Sequence, residues 1–93
     1  MIEVLKKLLN FIEKEIDDGV ELWAYGESEG SIMLTEMGRS RVQSFINMRY
    51  EMFKNLHQLQ LKHALNQEEI DFLFYLMKMI SKDDKDIPGF KND

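Results

Sequence analysis

Residues 20–34, VELWAYGESEGSIML, decide how the chain is read. Val20, Leu22 and Ala24 alternate with Glu21, Trp23 and Tyr25. The polar, glycine-bracketed loop GESEG follows, and Ser31-Ile32-Met33-Leu34 closes the stretch. Two β-compatible runs about a short loop predict a β-hairpin over 20–34. One of its faces, Val20, Leu22, Ala24, Ile32 and Leu34, suits a helical core, while Trp23 and Tyr25 point the other way. An isolated two-stranded hairpin is marginal in water, so it is expected to lie on helices or to pair with another chain. Trp23 has two readings, a ring covering the core edge or an anchor for a partner.

Helical patterns lie on both sides. Residues 2–17 place Ile2, Val4, Leu5, Leu8, Leu9, Phe11, Ile12 and Ile16 on one half of a helical wheel, and Gly19 is a natural stop. Residues 35–65 form a long amphipathic segment beginning at Thr35, a credible N-cap. Its apolar arc, roughly 160° wide, holds Val42, Phe45, Ile46, Met52 and Leu56. Arg49 sits inside that arc, so its guanidinium needs a carboxylate, and Glu15 is the natural candidate; the alternative is a charge kept for a partner. Asn66 and Glu69 then make a capping-box variant that opens a last helix. That helix is apolar over about 220°, and a helix apolar nearly all round must be buried nearly all round. A second copy of the chain is the expected cover, with Phe72, Leu73, Leu76, Met77, Met79 and Ile80 as its dimer interface.

The expected fold is therefore mainly α with one β-hairpin, in the order α-β-β-α-α, forming a small helical homodimer. Residues 1–82 make a single domain, and 83–93 a charged, flexible tail. A chain of 93 residues buries only about 60–65% of its unfolded surface, so extra burial through self-association is reasonable. With no cysteine there is neither a disulfide framework nor a thiolate metal site. No run of about 18 apolar residues exists to cross a membrane, and no signal-peptide pattern opens the chain, so a cytoplasmic location is expected.

The net charge is −5, and it is uneven. Residues 1–34 carry −5, residues 35–65 carry +3 and residues 66–93 carry −3. The five cations of the middle segment scatter round its wheel, which disfavours a nucleic-acid face. His57 and His63 do not share a helical face, adjacent acids diverge, and no nucleophile elbow or phosphate-binding glycine pattern is present. No enzyme activity, metal or cofactor is expected. Seven methionines suit an adaptable protein interface.

The segment Leu34-Thr35-Glu36-Met37-Gly38-Arg39 after the predicted hairpin is similar to the L-T-x-x-G-[RK] pattern that ends the wing in winged-helix regulators of the MarR and PadR kind. Leu65-Asn66-Gln67-Glu68-Glu69-Ile70 resembles that family's C-terminal dimerisation segment. The resemblance implies a truncated winged-helix arrangement with 20–34 as the wing and 2–17 in the recognition-helix position. Glu27 and Glu29 stand where a DNA-touching wing carries Arg or Lys. The primary expectation is a non-enzymatic, dimeric protein-interaction module in transcriptional control or a phage or mobile-element accessory role. Its partner surface would comprise Trp23, Tyr25 and Arg49, and its partners would be itself and another protein. A minimal winged-helix DNA-binding regulator is the alternative.

Overall fold

The computed structural model describes residues 2–86, as three helices: α1 Ile2–Ser28, α2 Ile32–Leu61 and α3 Gln67–Asp86. Among the described residues there is no strand. The expected β-hairpin, the α-β-β-α-α order and the winged-helix arrangement are corrected by this: residues 20–28 complete α1 and residues 32–34 open α2. α3 continues to Asp86, and residues 87–93 of the expected tail lie outside the described residues.

The reason is a longer period than the local alternation suggested. Leu5, Leu9, Ile12, Ile16, Gly19, Trp23 and Gly26 recur at alternating steps of four and three. On α2 the same steps link Thr35, Gly38, Val42, Phe45, Arg49, Met52, Leu56 and Leu59. This is the 3.5-residue repeat of a coiled-coil seam. Leu9, Ile12, Ile16, Gly19 and Gly26 on α1 are buried, as are Gly38, Val42, Arg49, Met52 and Leu56 on α2.

Two compact units divide the chain, Met1–Arg49 and Tyr50–Asp93. The first is an antiparallel helical hairpin made by α1 and the beginning of α2. Its backbones touch closely at three levels. A Cβ on Gly19 would lie 2.8 Å from Val42 Cγ2, one on Gly38 would lie 2.7 Å from Trp23 Cα, and one on Gly26 would lie 2.7 Å from Thr35 Oγ1. Equal steps along the two helices separate these pairs, so one antiparallel register satisfies all three. Gly19 is thus a point of helix contact and not a stop. Each mid-helix glycine costs up to about 1 kcal/mol relative to alanine, offset here by packing that no side chain would permit.

The turn between α1 and α2 is built from backbone bonds. Gly30 adopts φ 68°, Ser31 N–H donates to Gly26 O at 2.8 Å, and Gly30 N–H donates to Glu27 O at 3.2 Å. That is a Schellman motif with glycine in the left-handed position. Ser31 then caps α2, its Oγ accepting from Leu34 N–H at 3.2 Å. The cap is therefore Ser31 and not Thr35, whose hydroxyl donates to Ser31 O at 2.8 Å from inside the helix.

In the second unit, α2 ends in another Schellman motif. Ala64 N–H donates to Leu59 O and His63 N–H to Gln60 O, both at 2.9 Å. The left-handed residue is His63, at φ 56°. The Asn66–Glu69 capping box is formed reciprocally: Asn66 N–H donates to Glu69 Oε1 at 3.0 Å, and Glu69 N–H to Asn66 Oδ1 at 2.9 Å. Met52, Leu56, Phe72, Leu73 and Leu76 are buried.

Two stability measurements follow. Gly38→Ala should lower stability by about 2–3 kcal/mol, read as a lower urea midpoint at unchanged slope, because its methyl group meets backbone. In an open helix the same change would stabilise, so an increase in stability would refute the close approach. His63→Gly should raise stability by about 0.5–1 kcal/mol by relieving a left-handed non-glycine residue.

Candidate functional site

In the first unit most of the exposed apolar side chains lie on one side of the seam. Arg49 occupies a seam position with its side chain 1% exposed, ion-paired to Glu13, whose side chain is 31% exposed. Glu15, the expected partner of Arg49, instead pairs with Arg41 at 3.2 Å. The reason is rotational: Glu13 follows the buried Ile12 directly and lies on the flank opposite Glu15. A buried guanidinium requires such a carboxylate, since an uncompensated charge in the interior costs several kcal/mol.

On the Glu15–Arg41 side the seam is bordered by apolar residues. Val4, Leu8, Phe11, Leu22 and Tyr25 come from α1, and Leu34, Met37 and Met48 from α2, with Met33 beside them. Five of these, Val4, Phe11, Tyr25, Met33 and Met37, are at least half exposed. Phe11 meets Phe45 edge to face, ring centroids 5.8 Å apart. Leu22, Met33, Met37, Phe45 and Arg41 line an open groove of about 690 Å³, with Glu36, Ser40 and Ser44 on its polar edge. The opposite flank of the first unit differs: Lys6, Asn10, Asp17, Arg39 and Gln43 are exposed there. One flank is therefore mostly apolar and open; the other is mostly polar, though Ile32 at the start of α2 is 82% exposed there.

The expected partner surface is not one patch. Trp23 lies half-buried in the seam, its indole N–H donating to Glu27 Oε1 at 3.0 Å, while Tyr25 is exposed on the apolar flank. Arg49 is buried at the other end of the helical hairpin, about eleven helical residues or roughly 16 Å further along. Pattern reading set Val4, Leu8 and Phe11 on the apolar half of the first helix and did not single out Met33 or Met37 as exposed. Their signal was available as positions flanking the seam repeat, once that repeat is followed through Gly19 and Gly26.

In the second unit, Phe72, Leu73 and Leu76 of the expected dimer interface are buried in the single chain, Met79 and Ile80 are half-buried, and Met77 is exposed. Phe74 and Tyr75 are exposed beside Met77. On α2, Tyr50, Phe53 and His57 form an aromatic ladder, the last two stacked at 5.8 Å, with Lys54 Nζ 5.5 Å from the Tyr50 ring centre. Among the described residues no group of three His, Cys, Asp or Glu side chains is placed to hold a metal ion, and no helix is long and apolar enough to cross a membrane.

No family model matches this chain, and neither a curated protein nor a solved structure matches it.

Arg49 gives the site's energetic test. Glu13→Ala should destabilise the fold by about 1–3 kcal/mol, and Arg49→Ala by about 3 kcal/mol, through lost pairing and a cavity. Arg49→Met, which fills the seam without a charge, should recover most of that loss in the same urea titration. Equal losses for Met and Ala would show that the guanidinium itself is required.

Proposed function

We propose that this chain is a non-enzymatic protein-interaction module whose working surface is the open apolar flank of the α1–α2 helical hairpin. One observation carries the reading: most of the large apolar side chains left exposed on the first unit, Ile32 at the start of α2 apart, gather on one flank. Scattered exposed apolar residues are normal on protein surfaces, but a continuous patch larger than a few hundred Å² marks a docking site. Its composition fits that role. Met33, Met37 and Met48 are long, flexible and polarizable, and they repack readily against a partner's side chains. Phe11 and Tyr25 add large, stiff anchors of the kind that dominate interface energies. The groove beside Met37 accepts a side chain or the ridge of a helix, as in recognition of an amphipathic helix.

Site-specific photocrosslinking in the native host tests the assignment. A photoreactive phenylalanine analogue at Met37 should give discrete higher-mass adducts, and the same group at Gln43, exposed on the polar flank, should give none. Adducts of equal yield from both positions, or none from Met37, would remove the flank from consideration.

A further inference from the structure

We infer that the occupant of the groove is a basic amphipathic helix of another protein, its apolar face against Leu22, Met33, Met37 and Phe45 and its cations on the carboxylates around them. The inference rests on the docking role proposed above and names the chemistry of the partner.

The shape of the groove selects a helix. On α2 its lining runs from Met33 to Phe45, three turns or about 18 Å at the α-helical rise per residue. An open trough of that length covers one side of an occupant, whereas a small ligand needs walls over most of its surface. Among the described residues there is no strand, so no sheet edge is offered to an extended peptide. A helix of about three turns, with apolar residues at steps of three and four, matches both the length and the apolar floor.

Charge selects a basic one. The three glycine contacts, Gly19 with Val42, Gly38 with Trp23 and Gly26 with Thr35, share one register, which sets residue 17 opposite residue 44. The stretch between those levels, 17–44, contains the groove and holds six carboxylates and two guanidiniums, net −4. Residues 2–16 and 45–49 hold three carboxylates and four cations, net +1.

Four of the six carboxylates lie on the groove side. Glu36 lines the groove itself. Asp18 stands one helical turn before Leu22 and Glu21 one turn before Tyr25. Glu29 follows Tyr25 by one turn, and its N–H still donates to Tyr25 O at 3.0 Å. Glu21, Glu29 and Glu36 are exposed. The two guanidiniums do little to neutralise this rim. Arg41 lines the groove but pairs with Glu15 at 3.2 Å. Arg39 comes no closer to Glu36 than 4.0 Å, with both side chains more than half exposed, and such a pair is worth little in water. An apolar floor rimmed by carboxylates attracts Lys and Arg and repels phosphates, so neither anionic lipid nor nucleic acid suits it. A second copy of the chain, with its net charge of −5, meets the same repulsion.

Fluorescence anisotropy on the full-length chain tests this with three labelled helical peptides, each with leucines at i, i+4 and i+7 and with Lys, Gln or Glu at the flanking positions. The Lys peptide should bind about tenfold or more tighter than the Gln peptide, and the Glu peptide weaker than both. The preference should shrink several-fold between about 50 and about 300 mM salt. Glu29→Gln/Glu36→Gln should weaken the Lys peptide about fivefold and leave the Gln peptide unchanged. Met37→Lys should remove binding of the Lys peptide with helicity unchanged by circular dichroism. Replacing the peptide's leucines by serines should do the same, because lysines alone do not hold the groove. Equal affinity for the three peptides, no binding at about 100 µM, or a Lys peptide held equally well without its leucines overturns the inference. Crosslinking at Met37 separates this from the docking role itself. Adducts that join Met37 to an acidic segment or to a second copy keep the flank as a docking surface and remove the basic helix, whereas the absence of any adduct removes both.

Discussion

The first unit depends on the closeness of two helix backbones. Gly19, Gly26 and Gly38 remove the side chains that would hold α1 and α2 apart, so Trp23 and Thr35 backbone atoms approach within contact of the opposite helix. Three such contacts, separated by matching steps on the two helices, are satisfied together in one antiparallel register. Away from the turn, Leu9, Ile12 and Arg49 take the seam positions and are buried. Helix propensity is lost at the three glycines and close packing is gained there.

Arg49 reinforces the same register by a different force. A buried guanidinium contributes little net stability compared with an apolar side chain of its size, but it tolerates only arrangements that bring a carboxylate to it. Glu13 meets that need in the register the glycines set. A polar residue in a coiled-coil seam is a known way to select one alignment at a cost in stability. Close packing at one end and charge pairing at the other thus exclude the same slipped states.

Features fixed by neighbours in the chain were legible in the sequence. Asn66 and Glu69 lie three residues apart, and their reciprocal cap follows from local geometry alone. The glycines were not legible, because what makes Gly19 a helix residue is Val42 and the carbonyl of Gly38, more than eighteen residues away. Read locally, glycine is a breaker, and with Gly19 taken as a stop the six residues Val20–Tyr25 were too few to separate a period of two from one of 3.5. The same limit affected α3. Its wide apolar arc was evident, but only packing decides that Phe72, Leu73 and Leu76 are buried while Phe74, Tyr75 and Met77 are not. The mis-assigned turn also hid the flank, since Met33 and Met37 belong to it only once residues 32–38 are helical.

Those burials change what association can do for this molecule. An obligate dimer completes its core with the partner, and its monomer does not persist. Here the seam of the first unit is filled by its own two helices, and the α3 residues Phe72, Leu73 and Leu76 are covered within one chain. The residues left open flank the seam and do not belong to it. The proposed binding on that flank would add burial to a fold already formed, so affinity and folding could be varied separately, the first by a charge at Met37 and the second by a methyl group at Gly38.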